Sequence, residues 1–552
     1  AKPTVGAAAV GKAILRVRPD SSFSTQYPVV PVLVAPQGQS GAAESWGRRF
    51  VRRLDRPFDR VFGAGESPLR HLGALGVFFF VLLSVSGAYL YAVLDTSATG
   101  AYRSIDRLTR DGSSLGGLLR GIHRYAADAM VLCTFLHLAR EWLLGRFRGF
   151  RWFSWLTGVP LLLFMFSSGV GGFWLNWDQL GQFSALATAE WLDRWPIFAS
   201  PLTRNFLTAD AVSDRLFSLF VFVHIGVALA LLLGLWFHVQ RISRADVLPP
   251  RRLMLGTGVS LLLLAVLAPV VSQAPAESSV LPASLPVDWF VLFPHPLMYA
   301  TTPTVLWLVV VLSIGALLAL PLLRRRQRLP VAVVDPAHCN GCRRCFDDCP
   351  YAAVTMVAHI GGVPGREMAQ VDTDLCASCG ICVGACPSST PFRGSEKLVT
   401  GIDLPQAPID QLRARLRHEL AGTEPHTAVV IFGCDQGARI DSLADAHTIP
   451  FSLACIGMLP PSFVEYALRD GAAAVVVTGC RARGCEFRLG AQWTEERLAG
   501  NREPHLRRGV AAVQVETVWA ERGEEDRMRV AIAALRRRVS LGIEEQKAEH
   551  LP

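Results

Sequence analysis

The sequence predicts an α-helical transmembrane bundle followed by two soluble domains, the first a small α+β unit and the second α/β. Three observations carry that expectation. At 552 residues the chain is too long for one ordinary core. It is 51% hydrophobic and 18% charged, and the apolar residues concentrate between positions 72 and 323. Of its 13 cysteines only Cys133 lies in that apolar part, and the rest follow residue 338 at short spacings. The net charge of +9 comes from arginines grouped beside apolar runs. That pattern belongs to membrane topology and not to a face that binds nucleic acid.

Residues 1–45 hold Pro, Gly, Ser and Ala without periodicity and read as a flexible segment with no signal-peptide pattern. Residues 46–62, WGRRFVRRLDRPFDRVF, alternate basic and apolar groups and predict an amphipathic helix on a membrane surface. Six apolar segments follow that can span a bilayer, at 72–94, 118–144, 153–175, 214–240, 253–272 and 303–323. Arginines crowd the N-terminal region, the loops 140–151 and 241–252, and the exit RRRQR at 324–328, while the loop 273–302 has no Lys or Arg. The positive segments fall on alternate sides, so both soluble ends are expected in the cytosol of a prokaryotic cell, with the inner membrane as location.

The second span carries His123 and His137, and the fourth carries His224 and His238, each pair fourteen positions apart. Fourteen residues return to nearly the same helix face, about 21 Å further along. A single intramembrane His is ordinarily a packing residue or part of a proton path. Two matched pairs on facing helices place His123 opposite His224 and His137 opposite His238, each supplying two axial imidazoles to one haem b. Gly73 and Gly87 on the first span, and Gly158 and Gly172 on the third, repeat the same spacing and allow a flat macrocycle close to the backbone.

With these residues in view, segment 46–323 resembles cytochrome b of the quinol-oxidising cytochrome bc complexes. The likeness includes Arg120 three before His123, Arg140 three after His137, and GGFWLNWDQLGQFSALAT after the third span. The resemblance implies that Arg120 and Arg140 belong to the cofactor sites. It also implies a quinol-oxidation site at the family's Pro-Glu-Trp-Tyr motif, which here reads Val287-Asp288-Trp289-Phe290. Asp288, Trp289 and Phe290 are therefore the candidate catalytic residues, with Asp288 as proton acceptor. Burial beside the two aromatics is expected to favour its neutral form, and capping of a helix start is its plainer role. The family's histidine near position 243 is missing, which leaves a second quinone site without support. The family's dimeric habit implies a dimer.

CNGCRRCFDDCP at 339–350 and CASCGICVGACP at 376–387 are two copies of C-x2-C-x2-C-x3-C-P, the pattern of two-cluster bacterial ferredoxins. A zinc ribbon rarely shows this doubled run. In such a ferredoxin-like α+β domain, expected at 336–392 after a linker at 324–335, the fourth Cys of each run serves the other cluster. Cys339, Cys342, Cys345 and Cys386 would hold one [4Fe–4S] cluster, and Cys376, Cys379, Cys382 and Cys349 the other.

Residues 393–426 read as a linker with a charged helix. TAVVIFGC and GAAAVVVTGC then read as buried strands, each ending at a cysteine. Cys434, Cys455, Cys480 and Cys485 suit either zinc or a [2Fe–2S] cluster by spacing alone. Segment 427–540 resembles the delta subunit of methyl-viologen-reducing hydrogenase, and that likeness implies [2Fe–2S] and docking on a cytosolic flavoprotein related to heterodisulfide reductase. Family members often carry a further Cys where this chain has Gly437. The charged segment 524–550 is expected to be helical and solvated, with 541–552 as a tail. Cys133 is expected to be a packing residue.

The order of parts predicts a membrane electron-transfer subunit between quinone and a cytosolic flavoprotein, through two haems b, two [4Fe–4S] clusters and one [2Fe–2S] centre facing the partner. Two other readings fit the same residues. One is a cytochrome bc-type quinol-oxidising core with a Rieske-type acceptor, and the other a membrane anchor and electron carrier without a working quinone site. The chain carries no dinucleotide fingerprint, phosphate loop or Ser–His–Asp set.

Overall fold

The structure is a computed structural model. It describes residues 45–549 except 111–114, 196–199, 207–211, 278–283, 324–329, 362–364, 390–397, 482–483, 508–509 and 511. The flexible segment expected before Ser45, the run 324–328 and the last three residues lie outside the described residues.

The helical half runs α1 (Trp46–Phe62), α2 (Leu72–Val93), α3 (Ala101–Arg110), α4 (Leu115–Leu143), α5 (Trp152–Asn176), α6 (Gln179–Asp193), α7 (Asp214–Val239), α8 (Arg251–Leu267), α9 (Pro294–Ala300) and α10 (Pro303–Leu323). Helix starts follow local chemistry: the side chains of Ser45, Asp178 and Ser213 accept backbone N–H bonds at the starts of α1, α6 and α7. Among the described residues, four helices are long and apolar enough to cross a membrane: α2, α5 with the turn before it, α7 and α10. The second and fifth expected spans are helices too, but they differ in kind. α4 carries Arg120, Arg124 and Asp128 in its first half, and α8 has only 17 residues. α4 packs along α2, α7 along α5, and α8 against α4.

α1 is amphipathic as expected, with Trp46, Phe50, Leu54, Val61 and Phe62 exposed. It is also pinned: the buried Asp55 accepts two bonds from Arg140, at 2.7 and 2.9 Å, at the end of α4.

The soluble half contains two small antiparallel pairs and one parallel sheet. β1 (Val333–Val334) pairs with β4 (Ile402–Asp403), and β2 (Val354–Ala358) with β3 (Glu367–Val371). The short helices α11 (Arg344–Asp347) and α12 (Ile381–Ala385) follow the cysteine turns. β5 (Val429–Cys434), β6 (Thr448–Leu453), β7 (Ala474–Gly479) and β8 (Val515–Trp519) form a parallel sheet in the order β6-β5-β7-β8. β5 and β7 are buried along their whole length, as central strands covered on both faces require. The remaining helices are α13 (Ile409–Ala421), α14 (Ser462–Arg469), α15 (Gly490–Leu498) and α16 (Glu525–Glu549).

Two expectations change here. The stretch read as a linker holds β4 and α13, whose Ile409, Leu412, Leu416 and Leu420 are buried in one core with Val354, Met368, Phe432 and Phe451. The two soluble segments therefore share one hydrophobic cluster. The C-terminal helix is not solvated all round: Met528, Ile532, Leu535 and Val539 pack on Val429, Ile431, Ala474 and Val476 of the sheet. A charged composition hid an apolar stripe at helical spacing.

A buried ionic lock ties the two soluble segments together. Asp348 accepts from Arg497 Nη2 at 2.5 Å and Arg502 Nε at 3.1 Å, and Arg497 is fully buried. Removing the carboxylate leaves a buried cation alone, so Asp348→Ala is expected to destabilise the soluble half by about 3–5 kcal/mol. Thermal unfolding would show this as a lowered midpoint, and Arg529→Ala on the exposed face of α16 serves as the neutral control.

Candidate redox centres

α4 and α7 bring the four histidines into place. The rings of His123 and His224 face each other with centroids 6.3 Å apart and planes inclined by 62°. An iron between two imidazole nitrogens, each at a bond length of about 2 Å, sets ring centroids roughly 6 Å apart. The pair therefore fits axial ligation of a haem iron. His137 and His238 lie close enough for charge on one to act on the other.

Each of the four glycines meets one imidazole. A Cβ on Gly87 would stand 3.1 Å from Cε1 of His123, and one on Gly172 would stand 3.1 Å from Cε1 of His224. Gly73 faces His137 and Gly158 faces His238, at 3.3 and 3.4 Å. The sequence expectation put a macrocycle against these glycines. The structure places a histidine ring beside each, and the missing side chains leave room for it.

Three of the rings are also oriented through Nδ1. Ser86 Oγ lies 3.0 Å from His123 Nδ1, Thr157 Oγ1 lies 3.0 Å from His238 Nδ1, and Ser168 O lies 2.8 Å from His224 Nδ1. Occupying Nδ1 leaves Nε2 for a metal. Sequence reading missed these partners, although Ser86-Gly87 and Thr157-Gly158 place a hydroxyl beside a seating glycine.

Near the His123 end, Asp288 is buried. Its Oδ1 accepts from the backbone N–H groups of Phe290 and Val291, both at 2.8 Å, and its Oδ2 pairs with Arg124, the residue after His123. The expected shielding by aromatics is not found: Trp289 and Phe290 are 67% and 46% exposed. Two N–H donors and a guanidinium surround the carboxylate instead. Arg124 also pairs with Asp128 and lies over the Phe173 ring, 4.9 Å from its centroid.

A further histidine was overlooked. His295, at the start of α9, is buried, with Nε2 3.0 Å from Thr188 Oγ1 on α6 and Nδ1 without a hydrogen-bond partner. Burial pulls it down to about 4. The two arginines expected at the cofactor sites are engaged by the protein itself. Arg120 donates to Thr109 Oγ1 and Ser272 Oγ at 2.6 and 2.8 Å, and Arg140 is held by Asp55.

The ferredoxin-pattern cysteines gather in the two expected sets. Cys339, Cys342, Cys345 and Cys386 line one cavity, with Gly341, Met356 and Ala369. Cys349, Cys376, Cys379 and Cys382 line a second, with Pro350, Tyr351 and Leu404. Among the described residues no group of three or more His, Cys, Asp or Glu side chains has the geometry for a single metal ion. Thiols that ring a cavity fit a multi-iron cluster better than one zinc, which draws its ligands to a point.

The remaining set forms where adjacent parallel strands end. β5 ends at Cys434 and β7 just before Cys480, and the two sulfurs lie 3.5 Å apart. Cys485 hydrogen-bonds to Cys455 and Cys480, and all four thiols are buried. Gly437 leaves little room for the family's further cysteine, since a Cβ there would stand 3.1 Å from Ala520 O.

This set does not face outward, contrary to the sequence expectation. The loop after Cys485 sits on the helical half: Arg151 donates to Glu486 O, Arg488 donates to Ser243 O and Arg244 O at 2.9 and 2.7 Å, and the rings of Phe487 and Phe150 lie 6.1 Å apart. Phe150 also meets Tyr351, at 4.7 Å. Ser243 donates to Cys349 O and Pro350 O at 2.6 and 3.1 Å. The position where a family histidine is missing is thus a contact to the dicluster segment.

With this geometry in hand, the segments can be compared with known proteins. Residues 67–271 match the family cytochrome b/b6/petB, 338–390 match the 4Fe-4S dicluster domain, and 428–542 match methyl-viologen-reducing hydrogenase, delta subunit. Three family models thus match successive segments of one chain. The cytochrome b segment makes the helical half membrane-embedded, and together with the dicluster and delta segments it makes the chain a membrane electron-transfer subunit. One solved structure, titled "Hyperthermophilic respiratory Complex III", is similar at 17% identity and a TM-score of 0.38, covering 49% of this chain and 80% of that chain.

His295 generates a pH prediction. Its value lies near 4 when folded and about 6.5 when unfolded, so the unfolded chain binds the extra proton. Stability from the neutral ring is fully present above about pH 6.5 and is lost as pH falls toward 4. Unfolding midpoints of wild type and His295→Phe are therefore expected to diverge below about pH 6.5, with wild type losing more.

Proposed function

We propose that this chain is the membrane subunit of a quinone-linked oxidoreductase that exchanges electrons with a cytosolic flavoprotein. It would cross a prokaryotic cytoplasmic membrane six times, with both ends in the cytosol, and pair as a dimer like its cytochrome b relatives. The reading rests on one observation. The His123–His224 pair, 6.3 Å between centroids, stands beside an acid, Asp288, held by the neighbouring residue Arg124. A one-electron centre at this pair and a proton acceptor at Asp288 would together meet what two-electron, two-proton quinol oxidation requires.

His123 with His224, and His137 with His238, would each hold one haem b. The dicluster cysteines would hold two [4Fe–4S] clusters, and Cys434, Cys455, Cys480 and Cys485 one [2Fe–2S] cluster. These groups supply the one-electron steps that protein side chains lack. The chain's own residues handle protons and position. Arg124 bridges Asp128 and Asp288, so it keeps a partner when Asp288 Oδ2 accepts a quinol hydroxyl proton. His295, neutral at pH 7, offers its unpartnered Nδ1 to a second hydrogen bond. Arg120 and Arg140 stiffen the two ends of the bundle.

Two variants test this. Asp288→Asn should slow quinol-driven haem reduction at least tenfold while leaving the haem spectrum intact, and a wild-type rate would remove Asp288 from the mechanism. Gly172→Val crowds His224, so the isolated protein should lose about half its haem, read as pyridine haemochrome per chain. Full haem content would refute the seating role of the glycine.

A further inference from the structure

Tyr351 stands where three parts of the chain meet. It follows Cys349 by two residues and lines the cavity of Cys349, Cys376, Cys379 and Cys382. Its ring centroid lies 4.7 Å from that of Phe150 on the helical half. Charges that reach it include those of Arg151, Cys379, Cys485 and Glu486, so thiols of two different sets are near it.

The two ends of this residue are satisfied differently. Its backbone N–H donates to the Cys349 thiol, as do the N–H groups of Val354 and, at 3.2 Å, Ala353. Its hydroxyl has no hydrogen-bond partner among the described residues, although the residue is only 6% exposed. A buried phenol O–H is costly unless it donates. The charged side chains near it are engaged elsewhere. Arg151 donates to Glu486 O and faces Glu141 at 3.9 Å, while Glu486 faces Arg146 and Arg48 at 3.7 and 3.9 Å. The acceptors that remain are sulfurs, and a phenol keeps its proton at neutral pH and can donate to them.

We propose that the Tyr351 hydroxyl donates a hydrogen bond to the [4Fe–4S] cluster of Cys349, Cys376, Cys379 and Cys382, on its Cys379 side, and so raises that cluster's potential. Reduction adds negative charge to the cluster sulfurs, and a donated hydrogen bond favours the reduced form. The proton stays on Tyr351, and no bond forms or breaks. The cluster beside the helical half is thereby made easier to reduce. Phe150 packs against the ring that carries the donor, so its placement involves the helical half and is not a property of the dicluster segment alone. The proposal rests on a cluster filling this cavity and is independent of the quinone site.

The test is an EPR-monitored redox titration of the full chain in lipid nanodiscs. Cys342→Ser alters the signal of the other [4Fe–4S] cluster and so identifies the one to follow. Tyr351→Phe keeps the ring and removes only the O–H. At a fixed ambient potential the oxidised-to-reduced ratio of the followed cluster should rise about tenfold, a midpoint lower by about 59 mV for one electron. The [2Fe–2S] and haem potentials should stay as in wild type, and Tyr466→Phe, on α14, should change none of them. Proton ENDOR of the reduced cluster should show a coupled proton in wild type that Tyr351→Phe lacks. The proposal is overturned if the ratio stays within about twofold of wild type, if the coupled proton persists in Tyr351→Phe, or if only the [2Fe–2S] signal shifts. Absence of [4Fe–4S] signals from wild type would overturn the cluster reading as well, whereas intact signals with unshifted potentials overturn the proposal alone.

Discussion

The helical half depends on the space that four glycines leave for four imidazoles. Gly73, Gly87, Gly158 and Gly172 each stand where a side chain would press on a histidine ring at 3.1–3.4 Å. This lets α2 lie close along α4 and α5 close along α7, while the rings of His123 and His224 stay a ligand's distance apart across the bundle. A larger residue would either spread the helices or turn the rings. The hydroxyls of Ser86 and Thr157 and the carbonyl of Ser168 then fix which nitrogen faces the bundle interior.

The soluble half is attached as firmly as it is folded. Asp348 binds the two soluble segments through Arg497 and Arg502, and Phe150, Ser243 and Arg151 join both segments to the helical half. Most of these contacts come from residues next to candidate ligands: Asp348 and Pro350 flank Cys349, and Glu486 follows Cys485. Candidate ligands and the contacts between segments thus share the same short loops.

Asp288 illustrates how a local pattern can mislead about environment. Its neighbours in sequence are apolar, yet in space its carboxylate meets two backbone N–H groups and Arg124. The two carboxylate oxygens have different partners. One oxygen is used for each: Oδ1 holds the turn, and Oδ2 faces a cation that has a second acid, Asp128, within reach.

By itself the sequence determined what repeats or is periodic. Matched spacings of fourteen named the four histidines and their glycines, and the doubled cysteine run named both sets of four, because helical periodicity and short ligand loops are local properties. Apolar runs marked β5 and β7, and the cysteines that end them met as neighbouring strand ends must. Tertiary structure decided what depends on residues far apart in the chain. It turned α13 and one face of α16 from solvent into core, paired Asp288 with Arg124, left the His295 Nδ1 without a partner, and turned the delta segment's cysteine loop toward the membrane segment. No spacing encodes such contacts, since each depends on where two distant segments come to rest.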